Sequence, residues 1–150
     1  MATRLSRQTA GAMLFAGLCF ALSASAADIG QVKVSKGRVS IEREGGSLPA
    51  TIGARLQTSD VVRTGSDGSI GITMDDGSLL SAGPNSVLVL EHYAFDPATR
   101  KGRFDASLNK GTLAVISGQI AKQAPDAMTV RTPTAILGVR GTEFAVSVNE

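Results

Sequence analysis

The chain has 150 residues, of which 43% are hydrophobic, and its 15 basic and 13 acidic side chains give a formal net charge of +2. Two of the basic residues, Arg4 and Arg7, precede the first apolar run, and no acidic residue lies before Asp28. Removal of that leader would leave 13 basic and 13 acidic residues and no net charge. This balance excludes nucleic-acid binding through a strongly basic face, because such binding depends on neutralising phosphates.

Residues 1–26 have the three parts of a cleavable signal peptide. The two arginines form a positive start, residues 10–22 form an apolar run, and Ala24-Ser25-Ala26 supplies the small-residue cleavage pattern. The run is shorter than the ~20 apolar residues of a membrane-spanning helix. We therefore favour cleavage between Ala26 and Ala27 over an uncleaved anchor, and divide the chain into a signal peptide, 1–26, and one domain, 27–150.

The single cysteine, Cys19, lies inside the apolar run. It is preceded by Leu18 rather than by the small residue that a bacterial lipoprotein requires. The exported chain is therefore expected to contain no thiol and no disulfide.

After Ala27, short β-prone runs alternate with Gly, Asp, Asn, Pro and Ser, and helix signals are nearly absent. This punctuation predicts an all-β fold: a single small domain of short, mostly antiparallel strands, arranged as a β-sandwich or a β-roll. One helical turn is allowed in the polar connection 118–126. The predicted strands are 30–34, 38–43, 55–63, 69–74, 78–82, 86–91, 102–107, 111–117, 127–132, 135–139 and 142–148.

Alternation along the strands predicts which faces are buried. Two runs, 87–90 and 113–116, are apolar at every position, which predicts burial on both faces or a position where two layers meet. Asp76-Gly77 lies between two apolar runs and predicts a tight hairpin turn, since glycine readily adopts positive φ. The alternating core-facing residues are Ile70, Ile72 and Met74 in one strand and Phe144, Val146 and Val148 in the last.

One long pattern, covering nearly all of residues 30–148, resembles the FecR domain. Its most specific part is the closing run, Val130-Arg131-Thr132-Pro133-Thr134-Ala135 followed after one position by Leu137-Gly138-Val139-Arg140-Gly141-Thr142-Glu143-Phe144. Ser59 departs from the family pattern, which usually has glycine before the aspartate. The other matching residues are Gly37, Val39, Gly53, Leu56, Asp60, Val62, Thr64, Gly65, Ser69, Gly71, Ile72, Asp76, Gly77, Ser78, Leu108, Gly111 and Leu113.

The resemblance implies a β-rich domain in the periplasm. In the best-known members, this domain transmits a signal from an outer-membrane receptor to a cytoplasmic sigma factor. Those members carry a cytoplasmic anti-sigma segment and a transmembrane helix ahead of the domain, where this chain has its predicted signal peptide. We therefore expect a free periplasmic module, exported and cleaved, rather than a transmembrane regulator.

Charged residues of the closing run form the first candidate site. If the last strand has no bulge, Arg140 shares the core-facing side with Phe144, and a buried arginine without a carboxylate partner costs about 3–5 kcal/mol. We favour a satisfied ion-pair network of Arg131, Arg140 and Glu143 that locks the last strands. The alternative is a partner-binding patch that uses the planar donor groups of arginine.

The segment 92–104 is the second candidate, since 92–102 is the longest predicted irregular stretch, and long loops are often functional. Tyr93, Arg100 and Lys101 would supply an aromatic ring and two cations for contact with a partner. The alternative is an ordinary hairpin excursion packed by its own aromatic side chains.

No residue pattern predicts catalysis or metal binding. His92 is the single histidine and has no triad context, and the aspartates follow turn positions rather than calcium-loop spacing. We expect a non-enzymatic module without cofactors that binds a periplasmic or outer-membrane protein or cell-wall glycan, without nucleic-acid binding or stable membrane insertion. The alternative is an in-trans component of iron or envelope-stress signalling to a sigma-factor regulator, and an enzyme ranks last.

Overall fold

The computed structural model describes residues 25–139 and 143–149. Apart from Ser25 and Ala26, which lie in exposed coil ahead of the first strand, the predicted signal peptide is outside the described residues. The strands are β1 (Asp28–Lys36), β2 (Val39–Arg43), β3 (Gly46–Pro49), β4 (Arg55–Gln57), β5 (Val61–Thr64), β6 (Ser69–Met74), β7 (Leu79–Ala82), β8 (Val87–Asp96), β9 (Lys101–Ile116), β10 (Met128–Arg131), β11 (Ile136–Gly138) and β12 (Glu143–Val148). Between β9 and β10 lie the helix α1 (Gln119–Gln123) and a 3-10 turn (Pro125–Ala127).

The long strand β9 belongs to both halves of one curled sheet. Its N-terminal part lies in the order β3-β2-β5-β8-β9-β10-β11, which we call the first half-sheet. Its C-terminal part lies in the order β4-β1-β6-β7-β9-β12, the second half-sheet. The two half-sheets separate between Asn109 and Gly111. β9 bulges against β8 at Asn109, and Gly111 has a φ of 87°. A Cβ at Gly111 would lie 2.1 Å from Ser86 Oγ, so this bend requires glycine.

β8 and β7 pair with one edge of β9, and β10 and β12 pair with the opposite edge. β10 runs parallel to β9, with Met128–Arg131 beside Phe104–Ser107. β12 runs antiparallel to it, with Glu143 opposite Ile116 and Val148 opposite Gly111. Between Ser107 and Gly111, no described strand pairs with this edge of β9, and we call this stretch the gap. β10 with β9 is the one parallel pair among the described strands, so the all-β, mostly antiparallel prediction is confirmed.

The inner faces of the two half-sheets share one hydrophobic core. Phe104 in the first half-sheet is fully buried, and the ring of Tyr93 meets it edge-on with 5.3 Å between centroids. Ile120 of α1 is also buried in this cluster. As the alternation predicts, Ile70, Ile72 and Met74 are buried. The residues of β12 that pack against the core from its rim are Phe144, Val146 and Val148.

The predicted loop at 92–102 is wrong. β8 continues to Asp96 and β9 begins at Lys101, so only the turn 97–100 interrupts one long hairpin. The predicted strands 102–107 and 111–117 are likewise parts of β9. The polar residues of this hairpin lie on the exposed face of β8 and β9, so their composition resembles that of a loop.

Of the two alternatives predicted for the wholly apolar runs, burial on both faces is wrong. In β8, Leu88 and Leu90 are buried, whereas Val87 and Val89 are only partly covered. In β9, Ile116 is 44% exposed although Val115 beside it is buried. Each half-sheet has a packed layer on one side only, so its strands alternate between core and exterior.

Local turn chemistry is mostly as predicted. Gly77 has φ 85° in the β6–β7 turn, and its N–H donates to the Met74 carbonyl. The predicted helical turn is confirmed as α1. The predicted strand 55–63 is broken by a turn at Ser59, whose φ of 73° is the left-handed conformation that glycine adopts at little cost. This is the position at which the sequence departs from the family pattern.

Candidate functional site

The closing run folds into two neighbouring edge elements. β10 leads into a turn in which Thr132 N–H donates to the Ala135 carbonyl at 2.8 Å. The Thr132 hydroxyl accepts from Ala135 N–H at 3.1 Å, so the side chain holds the turn closed. β11 then returns along β10, with Leu137 opposite Val130. The run next reaches β12 in the other half-sheet, beyond residues 140–142, which lie outside the described residues.

A groove of about 520 Å³ lies between this turn and the end of β12. It opens at the gap along β9 where the two half-sheets part. One wall is the turn 132–135 with Leu137, the other is 146–149, and Asn109 with Lys110 forms the base. The described residues of the lining supply aliphatic, hydroxyl and amide groups and the ammonium group of Lys110, and none of them carries a carboxylate.

The strand beside this groove has an open edge. β11 pairs with β10 and with no other described strand. Ile136, its first residue, is 69% exposed, which is high for a large apolar side chain on a strand. An unpaired strand edge exposes free backbone N–H and C=O groups that can pair with another extended segment.

The structure separates the residues of the first candidate site. Arg131 is exposed at the end of β10, and Glu143 is exposed at the start of β12 in the other half-sheet. No ion pair joins Arg131 to Glu143. The predicted network is thus absent between its two described members, and Arg140 lies outside the described residues. Arg131 flanks the groove, whereas Glu143 lies on the outer face of the second half-sheet.

Of the residues in the second candidate site, two lie on the surface and one lies in the core. Arg100 and Lys101 are exposed at the tip of the β8–β9 hairpin, and Arg100 has φ 59°. Tyr93 is only 9% exposed, and its hydroxyl accepts from Asp76 N–H at 2.8 Å. Burial, followed by the negative charge of Asp76, raises the pKa of Tyr93. Tyr93 is therefore a core residue rather than a surface contact.

His92 shows no catalytic arrangement with its neighbours. It is exposed on β8, and no hydrogen bond joins its ring to a serine among the described residues. Asp105, opposite it on β9, accepts from Arg103 at 2.6 Å and from the Thr129 hydroxyl. Burial raises the pKa of Asp105, but these hydrogen bonds outweigh it and hold that pKa below its ordinary value. The described residues contain no cluster of three potential metal ligands.

Sequence reasoning missed most of the groove. It singled out the charges of the closing run, whereas the walls are built by Thr132–Ala135, Leu137 and the end of β12. The Thr-Pro-Thr sequence was the available signal, since it predicts a turn between two β-prone runs. The turn faces β12 because β10 and β12 pair with the same edge of β9. This pairing is long-range and leaves no local pattern in the sequence.

Comparison with known proteins identifies one family. A family model described as FecR protein matches residues 60–150, more than half of the chain. No curated protein matches the chain. No solved structure matches it either. Within the described residues, no helix has the length and hydropathy needed to cross a bilayer.

Proposed function

Since the chain belongs to the FecR family, we propose that it is a non-enzymatic protein-binding module of the periplasm. FecR domains are associated with cell-surface signalling regulators, and the family is typically associated with the cell envelope. The predicted signal peptide supports the compartment, and β1 begins directly after its predicted cleavage site.

The groove beside β11 is the observation that carries this proposal. Its volume suits a few residues of an extended chain, and the open edge of β11 offers backbone groups for β-augmentation. Among the described residues, the lining offers hydroxyl and amide groups that can hydrogen-bond to a peptide and aliphatic groups that can pack against its side chains. Backbone pairing requires a polypeptide, so we favour a protein over cell-wall glycan.

The chemistry of the lining supports a binding role over a catalytic one. Hydroxyl, amide and aliphatic groups supply shape and hydrogen bonds, but a hydrolytic reaction needs a base or an activated nucleophile within reach. The histidine of the chain lies on β8 and does not line the groove.

Site-specific photo-crosslinking in cells tests the groove directly. A benzophenone amino acid at Thr134, in the groove wall, should crosslink to one protein. The same probe at Thr99, an exposed turn residue of the hairpin tip, should not. Ala135→Arg should abolish the crosslink by filling the groove with a cation, whereas Ala98→Arg, at an exposed turn position elsewhere, should leave it unchanged.

The purified crosslinked protein must then bind the purified domain, with affinity lost in Ala135→Arg and kept in Ala98→Arg. Equal crosslinking at Thr134 and Thr99, or equal binding by both variants, would refute the groove as the site. Co-sedimentation with purified cell-wall sacculi, reduced only by Ala135→Arg, would replace the protein with glycan as the ligand.

Signalling in trans is the second candidate function, and the family match favours it. If the groove binds a component of such a pathway, chromosomal Ala135→Arg should change the same transcripts as deletion of the gene. Ala98→Arg should change none. Unchanged transcriptomes in both the deletion strain and Ala135→Arg, under iron limitation and under envelope stress, would exclude this role.

A further inference from the structure

The outer face of the second half-sheet carries a row of five uncharged residues, one on each of five strands, and all of them except Val34 are small. Each member lies directly opposite the next, and all are partly or fully exposed because their strand neighbours point into the core. The row therefore forms a shallow trough floored by backbone and short side chains. In strand order it consists of Val34, Gly71, Ser81, Ala114 and Ala145.

Large apolar side chains border this trough. Leu79 and Ile116 lie opposite each other in the next row and are 42% and 44% exposed. Val34, at one end of the trough, is 46% exposed. With the trough they enclose a groove of about 340 Å³ that is mostly apolar. The solvent-exposed side of an antiparallel sheet is normally polar. The apolar composition of this face is instead typical of a surface that another protein surface covers.

The outer face of the first half-sheet shows the contrast. There, Glu42 pairs with Arg63 at 2.6 Å, and Asp105 pairs with Arg103 at 2.6 Å. The charged residues that line the apolar groove are Lys33 and Glu143, on β1 and β12, at opposite ends of the five strands. The centre is uncharged and the two ends have opposite charges.

We propose that this face binds a second copy of the chain. β7 is the third of the five strands. We place a two-fold axis parallel to the strands and close to β7. This rotation lays β1 of each copy over β12 of the other copy. Lys33 then faces Glu143 of the second copy, and the pair occurs twice. The small residues in the middle let the two sheets approach closely, and Leu79 and Ile116 pack across the interface.

The available area limits the size of the interface. Five strands of about six residues measure roughly 24 Å by 20 Å, or about 500 Å² per copy. A total near 1,000 Å² lies at the lower limit for a specific interface. An interface of this size belongs to the weak, transient class rather than to obligate dimers, so we expect a concentration-dependent dimer with a dissociation constant on the order of micromolar.

Sedimentation velocity of the purified protein over a range of micromolar concentrations tests this proposal. The native protein should shift from monomer to dimer as its concentration rises. Ser81→Arg places a cation at the centre of the trough and should leave a monomer at every concentration. Ser47→Arg, the same change at an exposed position of β3 in the other half-sheet, should dimerise like the native protein.

Charge reversal tests the orientation of the two copies. Lys33→Glu and Glu143→Lys each create two like-charge contacts, so each should raise the dissociation constant about tenfold. The double variant should restore the native value. Thermal unfolding of each variant checks that the fold is intact. A native protein that stays monomeric, a dimer that survives Ser81→Arg, or a double variant weaker than both single variants would overturn the proposal. None of these measurements uses an envelope partner, so they do not depend on the proposed function.

Discussion

Replacing Asp76 with alanine should cost the domain about 3–5 kcal/mol of unfolding free energy. The Asp76 carboxylate is buried and joins three parts of the fold. It accepts from Ser78 N–H at 3.1 Å and from Ser78 Oγ at 2.8 Å, which holds the β6–β7 turn. It also accepts from the Tyr93 hydroxyl at 3.3 Å and from Ile120 N–H at 3.2 Å, which attach β8 and α1 to that turn.

The magnitude follows from what the substitution leaves unpaired. Alanine removes the acceptor from two backbone N–H groups and two hydroxyls in a site that is 1% exposed at Asp76. A buried donor without a partner costs about 1–3 kcal/mol, and the hydroxyls can turn to other acceptors or to water that enters the space. Two backbone donors and a small cavity then account for ~3–5 kcal/mol, a large share of the 5–15 kcal/mol typical of a domain.

Urea unfolding monitored by circular dichroism measures this loss, together with a fall of roughly 10–20 °C in the melting temperature. Asp75→Ala is the matched control, because Asp75 is the exposed neighbour in the same turn and should change stability by less than ~0.5 kcal/mol. Asp76→Asn, which keeps one acceptor oxygen, should fall between the two. A loss below ~1 kcal/mol for Asp76→Ala would refute the view that this carboxylate organises the turn, β8 and α1.

Two further substitutions test backbone strain and pH dependence. Ser59→Gly should raise the free energy of unfolding by about 0.5 kcal/mol, because relief of the positive φ exceeds the entropic cost of glycine; a lower urea midpoint would contradict this. The pKa of Asp105 is depressed in the fold, so its contribution is present above the ordinary pKa of 3.8 and is lost as pH falls through the folded value. The stability gap between the native protein and Asp105→Asn should therefore shrink from pH 7 toward strongly acidic pH, and a gap that stays constant would show that the carboxylate charge is irrelevant.

Features that depend on neighbouring residues can be predicted from the local order of amino acids. The alternation of Ile70, Ile72 and Met74 identifies a core face, because successive side chains on a strand point to opposite sides. The Asp76-Gly77 turn follows from the low cost of positive φ at glycine. The all-β class follows from many such turns between short β-prone runs.

How the strands lie against each other follows from contacts between distant parts of the chain. The polar neighbours of Tyr93 predict a surface loop, but pairing of β8 with β9 and the Asp76 hydrogen bond place this residue in the core. The groove arises because β10 and β12 share one edge of β9, although they are far apart in sequence. The ion pairs on the outer face of the first half-sheet and the uncharged centre of the outer face of the second likewise depend on long-range register. Such features are set by contacts between distant segments, and a local pattern carries no information about which segments will meet.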